Sequence, residues 1–403
     1  MNGVSLTSPH PAASLRSLLL PAPGRLEVRD LLKSAQLELT YNGRGALFTA
    51  YLEIASTSSR RTVLLPSFHC PSAITPALMA GLKPIYYRIR PDLSVDEEHL
   101  WSKVTDDVAA VLIIDFFGTS TKLTSRRALQ DRGIALVEDC SHSFYRSDDG
   151  SLRLAGHADS DYCVYSFWKI VPSGVGGALL RRQTRAGQPR RPMAPWSARM
   201  RAFKAEFEHA IEWSDRPLLK KVYSRAETMR LRLRPGRSRS ISPETPTLEA
   251  GEGFYPVDEV LALSAIPRYA LRIVESSDLA DIAARRRANF LAFARCRQMM
   301  RPMRPLVASL AEDACPWVYP VLLEDRCNWD YKLRARGVAL HTFGIYLHST
   351  LFAQTEDQAM LADARYLARR ILCLSIHQDL RPTDIARTTG IVASTLSPLL
   401  ASA

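Results

Sequence analysis

Lys169 is the residue that first suggests chemistry. It sits alone in an aromatic, β-branched run, VYSFWKIVPSGVGGALL, from Val164 to Leu180, with glycines at 174, 176 and 177. An amine held among Tyr165, Phe167, Trp168 and Ile170 has its pKa lowered by desolvation, and such an amine can condense with a carbonyl. A lysine in that setting can also snorkel its charge to the surface, which is the commoner fate. Asp139 lies thirty residues upstream, at the end of the apolar run IALVEDCS. A carboxylate there is costly to desolvate without a cationic partner, so it reads either as the partner of a buried cation or as a cap. A third element is the glycine turn YNGRGALF, where Gly43, Arg44 and Gly45 lead into a helix whose first N–H groups could hold a phosphate. It lacks G-K-[ST] and G-x-G-x-x-G, so it is neither a Walker loop nor a dinucleotide fingerprint. Phosphate cradle, carboxylate and amine together are what pyridoxal phosphate requires.

These residues need a scaffold to bring them together. From about residue 40 to 180, short apolar runs (TVLLPS, KPIYYRI, AAVLIIDFFG, IALVEDCS) alternate with helical patterns (GALFTAYLEIAS, SAITPALMAGL, DEEHLWSKV, LTSRRALQDRG). That alternation predicts an α/β domain with a mostly parallel sheet, whose functional residues lie past the strand ends. Glu138, Asp139, His142 and Asp115 fall at such ends. The long stretch from 256 to 297 reads as helical. PWVYPVLL, VALHTFG and a final helix from about 356 predict a smaller α+β domain. The expected division is an arm over 1–35, a large domain over 36–245 and a small domain over 246–403.

Composition narrows the class. No run of about 18 uninterrupted apolar residues predicts a membrane span, and the start has no basic region followed by a long apolar one, so no signal peptide is expected. The seven cysteines include no C-x-x-C pair, which argues against a disulfide framework or zinc site and for a reducing cytoplasm. No metal is expected. The net charge of +12 is concentrated: residues 181–240 hold 17 Lys/Arg against 5 Asp/Glu, an excess equal to that of the whole chain. In this segment Ser197 is the expected cap of a helix presenting Met200, Phe203, Phe207 and Ile211 on one face, and PGRSRSISPETP reads as a linker. The amphipathic RPLLKKVYSRAETMRLRLR suits an anionic membrane surface or a lipid-linked substrate, a nucleotide diphosphate, a dimer face or a solvated face. Nucleic acid fits poorly, because aromatic residues are sparse there and no nucleic-acid motif is present.

Taken in order, LPSFHCPSAITPALMAGLKPIYYRI, VEDCSHS, DSDYCVYSFWKIVPSGVGGALL, IAARRRANF and CLSIHQDL resemble segments of the DegT/DnrJ/EryC1/StrS aminotransferases, a sugar-aminotransferase branch of the fold-type I pyridoxal-phosphate enzymes. The similarity runs over about 41–177 and 255–390. It implies a large mostly parallel domain with a smaller α+β domain, a homodimer, and amino transfer from glutamate to a keto-sugar, nucleotide-linked by family habit. It implies Lys169 as the lysine that carries the cofactor and shuttles the proton, Asp139 at the pyridinium nitrogen and His142 at the ring. Ser166 would bind the phosphate with backbone amides around Gly43, Arg44 and Gly45. Cys70 stands where many members stack an aromatic residue on the ring, with Phe68 or His69 as substitutes. Asp115, where many members have histidine, and His377 are candidates near the substrate. The chain also departs from the family. Ser166 to Lys169 is three residues where five is usual, and GFYPVDE lacks the Asn and Arg of the family's G-Y-N-x-R stretch. Those departures leave a second reading, a non-catalytic relative that binds a ligand or partner. A sugar dehydratase is disfavoured by the lysine itself, since related dehydratases carry histidine there. The expected location is cytoplasmic, with a peripheral position at the inner membrane face if the basic segment meets lipid.

Overall fold

The computed structural model describes residues 8–401 except 21, 35, 149–150, 184–189, 215, 233–256, 325 and 355. The linker PGRSRSISPETP and the GFYP of GFYPVDE lie outside the described residues. Among the described residues nine strands precede residue 182: β1 Leu37–Thr40, β2 Thr62–Pro66, β3 Lys83–Tyr87, β4 Val108–Ile114, β5 Ala135–Asp139, β6 Tyr145–Asp148, β7 Ser151–Leu154, β8 Tyr162–Ser166 and β9 Gly177–Arg181. Seven of them form one sheet in the order β1-β9-β8-β5-β4-β2-β3. β3, β2, β4, β5 and β8 run parallel, and β9 turns back antiparallel beside β8 with β1 at its far edge. β2, β4 and β9 are buried at every position, as strands covered on both faces must be. The expected α/β domain with a mostly parallel sheet is therefore what forms.

The helix Gly43–Thr57 packs on β8 and β9. Asn42 caps it, its side chain accepting the Gly45 N–H at 2.8 Å, so the glycines lie inside the first turn. At Gly45 a Cβ would stand 2.4 Å from the carbonyl oxygen of Ala262, which explains the glycine by close approach of a neighbouring backbone.

Four further strands make a second sheet: β10 Arg304–Pro305, β11 Val318–Leu322, β12 Leu340–His341 and β13 Ile371–Ser375, ordered β10-β11-β13-β12. The helix Leu279–Arg295 joins the two regions. Leu279, Ile282 and Ala283 enter the core of the large sheet, and Phe290 and Phe293 enter that of the second.

Several expectations change. The helical stretch after 256 is three helices, Glu259–Ala262, Arg268–Ser276 and Leu279–Arg295, interrupted at Pro267 and capped anew by Asp278. The final helix is two, Gln358–Arg370 and Pro382–Ala401, separated by β13, which pairs on both sides. The hairpin β6–β7 and the edge strand β1 were not foreseen. In the basic segment, helix Trp196–Glu212 has Pro195 at its cap, so Ser197 lies in its first turn. Met200 is 41% exposed, whereas Ala198, Glu206, Ala210 and Ile211 are buried. Small side chains at 198 and 210 let this helix approach the glycine turn, where a Cβ on Gly174 would meet Glu206 at 2.8 Å.

Candidate active site

A cavity of about 610 Å³ opens where β4, β5 and β8 end. Its walls include Lys169, Asp139, His142, Ser166, Gly43 and Arg44, so residues spread over 127 positions of sequence converge on one space. Sheet topology brings them together: β5 and β8 are adjacent and parallel, so the segments that follow them leave the sheet at the same edge.

Lys169 follows β8 by three residues, in a tight turn held by the N–H groups of Ile170 and Val171 on the Phe167 carbonyl at 2.9 and 2.8 Å. Its amine stands beside the Trp317 ring, with Nζ 4.9 Å from the centroid. Burial pushes the amine below its ordinary value, and the nearby Asp139 and Cys70 partly offset this. The lone charge in an aromatic run is thus an amine on the cavity wall beside Trp317. Asp139 is the last residue of β5, and its Oδ1 accepts the Ser141 N–H at 2.9 Å.

His142 is packed by three rings, Phe117 at 5.7 Å, Trp317 at 4.5 Å and Phe343 at 4.8 Å. Its Nδ1 accepts the Phe117 N–H at 2.9 Å. Burial, with the Lys169 charge adding to it, holds the ring far below the usual histidine range. The imidazole is therefore neutral, with its proton on Nε2.

At the far end, Gly43 faces two hydroxyl-bearing residues. A Cβ there would lie 3.2 Å from Ser166 Cβ and 3.3 Å from Ser141 Oγ. Gly177 fits beneath, where a Cβ would stand 2.6 Å from Gly43 N, Asn42 C and Tyr165 O. The shortened Ser166–Lys169 interval still leaves Ser166 at the helix N-terminus, because Ser166 ends β8 paired with Gly177. Asn42, Gly43 and Arg44 line the cavity; Gly45 does not.

Other sequence candidates fall differently. Cys70 lines the cavity, with Ser72 donating to its sulfur at 3.1 Å. Phe68 does not: it is enclosed against Phe116 and Phe343. Nor does His69, whose Nδ1 bonds the Pro66 carbonyl at 2.9 Å while Nε2 accepts the His348 N–H at 3.0 Å. Burial lowers the His69 pKa to about 3, and this neutral, doubly bonded ring is structural. Asp115 turns away beneath the cavity. It accepts the Thr121 N–H at 2.8 Å, and burial, reinforced by Glu138, raises its carboxyl to about 8. Asp115, Glu138 and Cys140 lie close enough for one cation, but Glu138 is taken by Arg126 at 3.3 Å, Ser160 and the His157 N–H. His377 also stands off the cavity, its Nε2 on the Ser8 carbonyl at 2.9 Å.

Sequence reasoning missed Ser141, Trp317, Phe343, His341 and His10, all of which line the cavity. Ser141 had a signal, being two residues past Asp139 in the same motif. The other four come from distant segments.

Solved structures share this architecture along nearly the whole chain. Helicobacter pylori PseC, an aminotransferase of pseudaminic acid biosynthesis, matches with a TM-score of 0.64 at 16% identity, over 98% of this chain and 99% of that one. The aminotransferase TlmJ of Streptoalloteichus hindustanus gives 0.63 at 19% over 98% and 100%. DesI, determined with its TDP-sugar product, gives 0.64 at 17% over 99% and 96%. At these identities the likeness is one of fold: the protein has the fold-type I architecture of pyridoxal-phosphate enzymes. Residues 27–203 match the profile of the DegT/DnrJ/EryC1/StrS aminotransferase family, to which that part of the chain is similar. No curated protein sequence matches the chain. The resemblance read over 255–390 lies outside the profile match; there the solved structures speak for the fold.

Proposed function

We propose that this chain is a pyridoxal-phosphate-dependent aminotransferase that takes an amino group from glutamate and delivers it to the keto group of a nucleotide-linked sugar, in polysaccharide or secondary-metabolite synthesis. The observation that carries the reading is the shared cavity: an amine at Lys169, a carboxylate at Asp139, and a glycine-opened helix N-terminus facing Ser141 and Ser166. The donor set suits the cofactor. The Gly43 turn, with no Cβ to fill it, and the two serine hydroxyls would hold a phosphate. Asp139 would hold a protonated ring nitrogen, and His142 would present Nε2–H to the ring. Bound there, the cofactor supplies a carbonyl for amine exchange and a ring that withdraws electrons from the reacting carbon.

The chain's own residues do the rest. A Lys169 amine lowered by burial has a share of neutral Nζ, able to act as nucleophile and then to take and return a proton. The turn at Phe167 fixes where Nζ stands. Trp317 lies beside it, and the nearby Asp139 favours its charged form. Relatives in fold support the acceptor class: CalS13 of Micromonospora echinospora is described as a sugar aminotransferase, and DesI was determined with a TDP-sugar.

The test is spectroscopic. Protein purified with the cofactor should show a visible absorption band that glutamate bleaches. A band that glutamate leaves unchanged would favour the non-catalytic relative.

The reading includes a homodimer, the division into 1–35, 36–245 and 246–403, and a cytoplasmic setting. Among the described residues no helix is long and apolar enough to cross a membrane. In helix Pro217–Arg232, Leu218 is 79% and Val222 64% exposed, next to exposed Lys220, Lys221 and Arg225. We propose this face as a contact for an anionic membrane surface. Co-sedimentation with anionic vesicles at low but not high salt would support it, and no binding at either would remove it.

A further inference from the structure

His10 reaches the cavity from the far end of the chain. Its ring lines the space beside Trp168, at 5.3 Å, and His341, at 4.4 Å. The backbone that carries it is held at several points. His377 Nε2 bonds the Ser8 carbonyl at 2.9 Å, and Ser375 Oγ donates to the Pro9 carbonyl at 3.0 Å. His209 Nε2 lies 3.5 Å from Ser8 Oγ, and Asp379 accepts the Ala12 N–H at 3.0 Å. Such a set of partners fixes the segment as a wall of the cavity. It also gives His377 its place: it acts on the cavity through Ser8.

One polar atom in this segment stands out. Nδ1 of His10 is buried without a hydrogen-bond partner among the described residues, an unfavourable state for a ring nitrogen. Burial, with His209, His377 and Arg286 adding to it, brings the ring down to about 4, so at neutral pH it is uncharged. A neutral imidazole offers one donor and one acceptor and no charge. That matches a hydroxyl, which has both, better than a carboxylate or phosphate, which wants cations. Trp168 beside it offers a flat apolar face.

We infer that the segment Ser8–Ala13 builds the acceptor side of the active site, with His10 binding a hydroxyl of the keto substrate's ring while Trp168 packs against that ring. The inference rests on the aminotransferase reading. It assigns His10 to discrimination between a hydroxylated keto acceptor and the keto acid left by the amino donor.

The experiment uses the full chain loaded with cofactor and first converted with glutamate to the amine-bearing form. Return of the visible band is then followed with a TDP-linked keto-hexose and, separately, with 2-oxoglutarate, for wild type, His10→Ala and His10→Asn. His10→Ala should slow recovery by the sugar at least tenfold more than recovery by 2-oxoglutarate. His10→Asn, whose amide also donates and accepts, should regain part of the sugar rate. Equal losses with both acceptors, or no loss with the sugar, would overturn the inference, as would a wild type that 2-oxoglutarate reoxidises but the sugar does not. Absence of glutamate bleaching in wild type would instead overturn the aminotransferase reading itself.

Discussion

Arg286 offers the sharpest test of how the lysine turn is held. It is fully buried and, among the described residues, has no carboxylate partner within ion-pair distance. Its guanidinium makes five hydrogen bonds: Nε to Gln378 Oε1 at 3.0 Å, Nη1 to the carbonyls of Pro316 and Trp317 at 3.3 and 3.1 Å, and Nη2 to those of Lys169 and Ile170, both at 3.2 Å. One side chain thus ties the backbone of Lys169 to the backbone of the tryptophan that shields its amine. Lysine keeps the charge but has three donors at one point, so Arg286→Lys loses two of the five bonds. Hydrogen bonds to charged groups contribute about 1.5–3 kcal/mol each, which gives a loss of about 3–6 kcal/mol. The low end applies, because Gln378 Nε2 still covers the Ile170 carbonyl at 3.1 Å. A loss of about 3 kcal/mol is a large part of the 5–15 kcal/mol typical of a folded protein, and it should appear as a lower urea midpoint at unchanged slope. The glutamate half-reaction should slow as well, since Nζ is no longer fixed. A stability loss under about 1 kcal/mol, with the half-reaction unaltered, would refute the idea that Arg286 sets the lysine turn.

Three other outcomes follow from single positions. Gly177→Ala would drive a Cβ to 2.6 Å from Gly43 N, Asn42 C and Tyr165 O, all backbone atoms that cannot yield cheaply; cofactor affinity should fall at least tenfold in a titration of the visible band, and unchanged affinity would remove the helix N-terminus from the phosphate site. Glu206 is raised by burial from 4.5 to about 7, so its folded form holds a proton more tightly than the unfolded form. Its contribution is full below pH 4.5 and is lost as pH rises through about 7, a span corresponding to about 3 kcal/mol. Glu206→Gln should flatten the stability profile between those limits, and an unaltered profile in urea melts would contradict this. Asp115→Asn should retain the visible band and sugar turnover, because that carboxyl faces Glu138 and Cys140 beneath the cavity; a loss confined to the sugar step would return Asp115 to the site.

What could be read from sequence was what local physics writes into it. Lys169 was legible only in combination: a lysine in an aromatic run more often snorkels to the surface, and it was Asp139 and the glycine turn together with it that pointed to a shared site. Asp139 was legible because it ends an apolar strand, and the parallel sheet showed in the alternation of short apolar runs with helical patterns. The hairpin β6–β7 carried a readable turn signal in YRSDDGSLRL, an Asp-Gly pair between its two strands. Trp317, Phe343 and His341 could not be placed, since nothing in PWVYPVLL or VALHTFG says that those segments face β5 and β8. His10 was less legible still. Its role depends on contacts with His377, Ser375 and His341, more than 300 residues away. His377 was noticed as a histidine in a family segment, but only the structure shows that it bonds Ser8 and stands behind the cavity wall.

The account turns on which amine carries the cofactor. Borohydride treatment of the loaded protein fixes the cofactor covalently to the amine that holds it, and peptide mapping then locates the bond. The prediction is a single modified peptide containing Lys169, absent from Lys169→Ala. A cofactor bonded to another lysine, or the same peptide yield from Lys169→Ala, would contradict it.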